Sequence, residues 1–189
     1  TLSTRPPPVI RILFLEKKWS IRMPSPAYMT IHGTQQGLIT AGALGKDSVG
    51  NAWQLGHEDQ ILVQAYDHGV VIPGGVTGRR MHKPLIITKA VDKSSPLLFN
   101  AAANGEAIKT CRLDLYRPAG NGVQEHFYTI ELKGAVIVAF NVTMPHCQNL
   151  STAHFTQLET VHFAYQFIAC RHEIGKTSGY DEWHAGSQQ

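Results

Sequence analysis

From Lys109 onward the apolar residues recur at every second position: Cys111, Leu113 and Leu115 on one side, Thr110, Arg112, Asp114 and Tyr116 on the other. Period two belongs to extended backbone with one face on a core; a helix would place apolar residues three and four apart. The run ends at Pro118-Ala119-Gly120-Asn121-Gly122, and Asn121-Gly122 supplies the two positive-φ positions of a tight hairpin. Antiparallel strand pairing is therefore the constraint every fold for this chain must satisfy.

The rest of the chain reads in the same terms. Residues 27–32 form a strand, 33–37 a turn before 38–40, and 42–50 a loop. Residues 61–72 are rich in β-branched and other apolar side chains without a helical period, which predicts one long, mostly buried strand. Residues 73–80 have the composition of an exposed mobile loop, with Gly74, Gly75 and Gly78 for unusual backbone angles and Arg79 and Arg80 for water. A strand over 83–92 precedes the one substantial helix, which has Ser94-Ser95 as its serine N-cap, Pro96 in the first turn, Leu97, Leu98 and Ala101 on one side, and Asn104-Gly105 at its end. Strands follow over 124–132 and, after Gly134, 135–143. The longest strand region spans 155–170, with Val161, Phe163, Tyr165, Phe167 and Ala169 on one face and Thr160, His162, Ala164 and Gln166 on the other. The expected fold is mainly β: an antiparallel two-sheet sandwich or partly closed β-barrel with one short α-helix.

A chain of 189 residues with 43% hydrophobic and 16% charged residues is expected to form one domain. The net charge of +3 resides at the start: residues 1–22 hold five basic side chains against one acid, leaving 12 Lys and Arg against 13 Asp and Glu. A face that neutralises a row of phosphates is not expected in such a body, so nucleic acid is not an expected partner. Cys111, Cys147 and Cys170 share no Cys-x-x-Cys spacing and read as reduced thiols, with Cys111 and Cys170 as small buried hydrophobes. No apolar run has the ~20 residues of a membrane-spanning helix, and membrane insertion is not expected. Residues 9–15 are too short and too charged for a signal-peptide core. Residues 1–22 are expected to be a disordered tail, non-native or translated from upstream, beside a single domain over 23–189.

His57-Glu58-Asp59 invites a catalytic reading, as a general base or metal ligands of a hydrolase, with His146 as a further member. Adjacent residues on a strand point to opposite faces, and no His-x-x-x-His spacing supports the cluster. His146-Cys147 lacks a third orienting group. Gly175-Lys176-Thr177 lacks the first glycine of a phosphate-binding loop, since position 170 is Cys. A non-enzymatic role without cofactor or metal is expected, and a monomeric barrel binding a small ligand is a third alternative.

Five segments occur in a characteristic order: Asp47-Ser48-Val49-Gly50-Asn51, Gly56-His57-Glu58-Asp59, Met144-Pro145-His146-Cys147-Gln148, Phe155-Thr156-Gln157-Leu158, and Gly175-Lys176-Thr177-Ser178-Gly179-Tyr180-Asp181-Glu182-Trp183. With them the chain, from about Met23 to Ala185, resembles the haemolysin-coregulated protein (Hcp) family, the tube subunit of the type VI secretion system. The resemblance implies a β-barrel subunit of stacked homohexameric rings, with effectors in the lumen and with sheath and spike proteins as partners. It also implies residence in the bacterial cytoplasm before firing and secretion without a cleaved signal peptide. On that reading His57, Glu58, Asp59, Gly74, Gly75, Arg79 and Arg80 are expected at inter-subunit or ring-stacking contacts. Gln64, Tyr66, His68, His162 and Gln166 are expected on a lumen or inter-subunit face.

Overall fold

A computed structural model describes residues 25–75, 78–120, 122–149, 151 and 156–182. The expected tail 1–22, Asn121 of the hairpin turn, and Phe155 and Trp183 of the ordered segments lie outside the described residues.

Strand β1 (Ala27–Gly33) pairs antiparallel with β2 (Ile61–Asp67) on one side and β6 (Ala107–Pro118) on the other. Pairing continues from β2 to β5 (Leu85–Ala90), from β5 to β8 (Leu158–Ala164), and from β6 to β7 (Gln124–Thr143). Because β7 also pairs with β8, six strands in the order β7-β6-β1-β2-β5-β8 close into a barrel. Of the two expected architectures the barrel is the one formed. Closure removes the open edges over the paired stretches of those strands. The sheet extends from β7 through β9 (Phe167–His172) to β10 (Thr177–Glu182), a strand not anticipated from the sequence. A small hairpin of β3 (Val70–Val71) and β4 (Met81–His82) stands apart from the main sheet.

Inward residues fill the barrel: Met29, Ile31, Ile61, Leu85, Ile87, Leu113, Leu132 and Phe163 have no exposed surface. Cys111 belongs to this core, where burial pushes its thiol up to about 12, whereas Cys170 is half-buried and Cys147 exposed; all three are free. Helix α2 (Ser95–Asn104) inserts Leu98 and Ala101 into the same core, and Phe99 meets Phe140 of β7 edge to face at 6.1 Å. A single further turn, α1 (Lys46–Val49), lies in the expected 42–50 loop. Among the described residues no helix is long and apolar enough to cross a membrane.

Four local expectations are corrected. The strand over 61–72 ends at Asp67, and only Ile61 and Val63 within it are fully buried on the core side, with Gln64, Tyr66, Val70, Val71 and Ile72 exposed. β2 pairs with β1 only from Ile61 to Val63, and beyond a register shift at Val63/Ala65 it has β5 as its neighbour, so its second half leaves the barrel wall. The strands over 124–132 and 135–143 are one strand. Gly134 adopts φ 57° within it, where a Cβ would stand 2.7 Å from Gln166 Oε1. Residues 155–170 contain two strands, because the partner passes at Tyr165-Gln166 from one half of β7 to the other: Ala164 faces Val136, and Phe167 faces Lys133. The predicted single face is broken there. Val161 and Phe163 are buried, then Ile168 and Ala169, while Phe167 stacks outside on Tyr180 at 6.2 Å.

The fourth correction concerns the helix start. Ser94 makes no side-chain cap; its hydroxyl donates to Asp92 Oδ1 at 2.5 Å. The same oxygen accepts the Ser94 N–H at 2.8 Å, while the Asp92 N–H donates to Ser95 Oγ at 2.9 Å, a reciprocal capping pair that begins two residues earlier, at Asp92. The helix closes on Gly105, at φ 62°, as expected.

Candidate assembly surface

His57, Glu58 and Asp59 lie in the turns before β2 rather than on a strand, and they serve three different partners. The His57 ring stacks on Tyr28, with centroids 3.7 Å apart and planes at 7°, and meets Tyr116 edge to face at 5.5 Å. Its Nδ1 is 2.5 Å from Gln60 Oε1. Glu58 Oε2 accepts the Gly56 N–H at 2.9 Å, and the Glu58 carbonyl accepts the Leu44 N–H at 3.0 Å. Asp59 Oδ1 accepts the Gly42 N–H at 2.8 Å, pinning the 42–50 loop to the barrel entrance. Tyr28 donates its hydroxyl to Gln54 Oε1, and burial, then Tyr116, raises its pKa. His146 is engaged elsewhere, accepting the Gln148 N–H at 3.3 Å. Among the described residues no three His, Cys, Asp or Glu converge to hold a metal ion. Through these contacts the three side chains tie the loops before β2 to one another and to the barrel. His57→Ala is expected to cost about 0.5–1.5 kcal/mol of stability through loss of the ring stack, read by thermal unfolding; an unchanged transition would show that the stack contributes nothing.

The second surface is the β3–β4 hairpin. Gly74 and Gly75 take φ 80° and 67°, and both are exposed at its tip. Gly78 has no room for a side chain, since a Cβ would fall 1.7 Å from the Pro73 carbonyl oxygen. Val70 is 49% exposed, Ile72 55% and Met81 53%. An apolar stretch outside the barrel and open to solvent marks an interaction site more often than a chance feature.

Polar contacts tie the hairpin back to the barrel. Arg80 grips Asp181 of β10 with two donors, Nε to Oδ2 and Nη2 to Oδ1, the latter at 2.7 Å. His82 Nε2 lies 2.8 Å from Asp181 Oδ2, and its Nδ1 lies 2.9 Å from the Tyr165 hydroxyl. The same hydroxyl is 2.5 Å from His68 Nε2. The Arg80 hydrogen bonds, with His82 beside them, hold the Asp181 carboxyl down at about 2. Burial pushes the Tyr165 phenol up and the His68 imidazole down, the latter helped by His82. A cavity of about 160 Å³ opens beside this network between His82, Lys83, Pro84 and Tyr165.

Of the residues expected at contacts or in a lumen, the structure joins His68 and Arg80 in this network. Arg79 is exposed beside it. Gln64 and Tyr66 lie exposed on β2, His162 is half-buried on β8 opposite Ile86 and Ala139, and Gln166 is exposed at the β8–β9 corner. His82, Tyr165 and Asp181 were not singled out by the sequence. Tyr165 passed as one member of an apolar face, His82 carries no local motif, and Asp181 was quoted only as part of the Gly175 to Trp183 segment, with no role of its own.

Residues 28–172 match the family model described as "Type VI secretion system effector, Hcp". The "Major exported protein" of Pseudomonas aeruginosa is 51% identical over 166 residues, covering 85% of this chain and 96% of that protein. A crystal structure described as an Hcp protein superposes with a TM-score of 0.83 at 38% identity, covering 86% of this chain and all of the other. The secreted protein Hcp3 from Pseudomonas aeruginosa gives a TM-score of 0.75 at 48% identity, with the same coverage of 86% and 100%.

Proposed function

The chain belongs to the Hcp family of the type VI secretion system, and from that premise we propose that it is a non-enzymatic tube subunit whose closed barrels associate into homohexameric rings. The rings stack, carry effectors in a common lumen, and leave the cell with them. The observation that carries this reading is the β3–β4 hairpin, which places Val70, Ile72 and Met81 in solvent away from their own core. A neighbouring copy would cover them, through the head-to-tail contact of unlike patches that closes a ring of identical subunits.

On this reading Gly74, Gly75 and Arg79 meet the next subunit or ring, while Arg80 sets the hairpin's posture through Asp181. His57, Glu58 and Asp59 act by shaping the 42–60 loops that border an interface. Gln64, Tyr66, His162 and Gln166 face the lumen or a neighbour. Sheath and spike proteins engage the assembled tube, and export follows the secretion apparatus rather than a cleaved leader. Electron microscopy of the purified chain tests the proposal: ring-shaped particles with an open centre are expected, and a field of single small particles at high concentration would overturn it.

A further inference from the structure

The contacts between hairpin and barrel form an unbroken chain through Tyr165. His68 stands at the hinge after β2, His82 on the return strand β4, Tyr165 at the β8–β9 corner and Asp181 on β10. A neutral imidazole offers one N–H and one lone pair, and a phenol one O–H and two lone pairs. With His82 donating from Nε2 to Asp181, its Nδ1 accepts the Tyr165 O–H, and the phenolic oxygen accepts an N–H from His68 Nε2. Every contact is satisfied.

One added proton is also accommodated. If it resides on His82, Nδ1–H turns to the phenolic oxygen, the Tyr165 O–H points to the Nε2 lone pair of His68, and Asp181 balances the charge. A second proton is not accommodated. Two imidazolium N–H groups would then converge on one phenolic oxygen, the phenol's own hydrogen would have no acceptor in the chain, and two cationic rings would face each other with centroids 6.3 Å apart.

The surrounding charges do not relieve this. From β2 only Asp67 favours the His68 cation electrostatically, and it makes no hydrogen bond with the ring among the described contacts. The hairpin side adds the cations Arg80 and Lys83, Cys170 faces Tyr165 from β9, and Asp181 is already shared between Arg80 and His82.

We propose that His68, Tyr165 and His82 form a proton-sensitive latch, which holds the β3–β4 hairpin against the barrel corner while at most one of the two imidazoles is charged and releases it when both are. The direction of the pH effect follows. Latched His68 resists protonation, whereas a freed one titrates near the ordinary value of about 6.5. The latched form therefore keeps its full advantage above about pH 6.5 and loses it as the pH falls through and below that value. Asp181, held at about 2, stays ionised throughout, so its loss does not open the latch. The device resides in the single chain and does not depend on ring formation.

Hydrogen–deuterium exchange on the full chain tests it, at about pH 7.5 and about pH 5.0, corrected for the intrinsic chemical rate and with particle mass checked at both. In the wild type the 70–82 peptide is expected to exchange about tenfold faster at the lower pH. In His68→Gln, whose amide keeps a donor toward Tyr165 but takes no proton, the corrected rates should be equal; in Tyr165→Phe the peptide should exchange fast at both. Equal wild-type rates, an unchanged acid acceleration in His68→Gln, slow exchange in Tyr165→Phe, or an acceleration confined to samples whose mass changes would each overturn the latch.

Discussion

Lys89→Met is expected to lower the stability of the fold by roughly 3–5 kcal/mol, read as a shifted urea midpoint at fixed protein concentration. Lys89 shares the inward face of β5 with Leu85 and Ile87, and Glu159 shares that of β8 with Val161 and Phe163; the two stand directly opposite in register. Lys89 is fully buried and Glu159 is 2% exposed. The ammonium donates to Glu159 Oε2 at 2.8 Å and Ser95 Oγ at 3.1 Å, and it lies 3.1 Å from Asp92 Oδ1. Removing this one cation leaves two buried carboxylates without it, the costly way to break a buried ion pair. Replacing both partners with apolar residues is much less costly. Lys89→Met with Glu159→Leu should therefore recover most of the loss, Asp92 retaining its hydrogen bonds to Ser94. A single variant close to wild type, or a double variant worse than the single, would contradict this account of the barrel's end.

The second large effect concerns assembly. Val70→Asp with Ile72→Asp is expected to convert rings into single chains while leaving the β-rich circular dichroism spectrum unchanged. Both residues point away from the core, at 49% and 55% exposed. Burying the exposed half of each against a neighbour would contribute about 0.7–1.5 kcal/mol, roughly a threefold to tenfold factor in affinity per side chain before the added charge repels. Neither residue belongs to the latch. Rings that persist in the double variant, seen by light scattering, would show that the hairpin's apolar stretch is not an interface.

What the sequence made legible was local. The alternation around Cys111, Leu113 and Leu115 identified β6, the Pro118 to Gly122 turn returned the chain onto β7, and Gly105 closed the helix where expected. What it hid depends on partners far along the chain. Lys89 and Glu159 sit 70 residues apart, and a charge at an alternating position reads as solvent-facing until the opposite strand supplies its counter-ion. Arg80 and Asp181 are 101 residues apart, and neither signals the other. Gly134 reads as a break because glycine is weak in strands, yet here it lets one strand serve two partners. The apolar run after Ile61 reads as buried because hydrophobicity does not distinguish a core from an exposed apolar surface.

The chain's mass in solution is the most direct test of the central claim. Static light scattering across a concentration series should give a plateau near six times the 20.8 kDa chain mass. A mass that stays at one chain up to the highest concentration would contradict the assembly on which the functional reading rests.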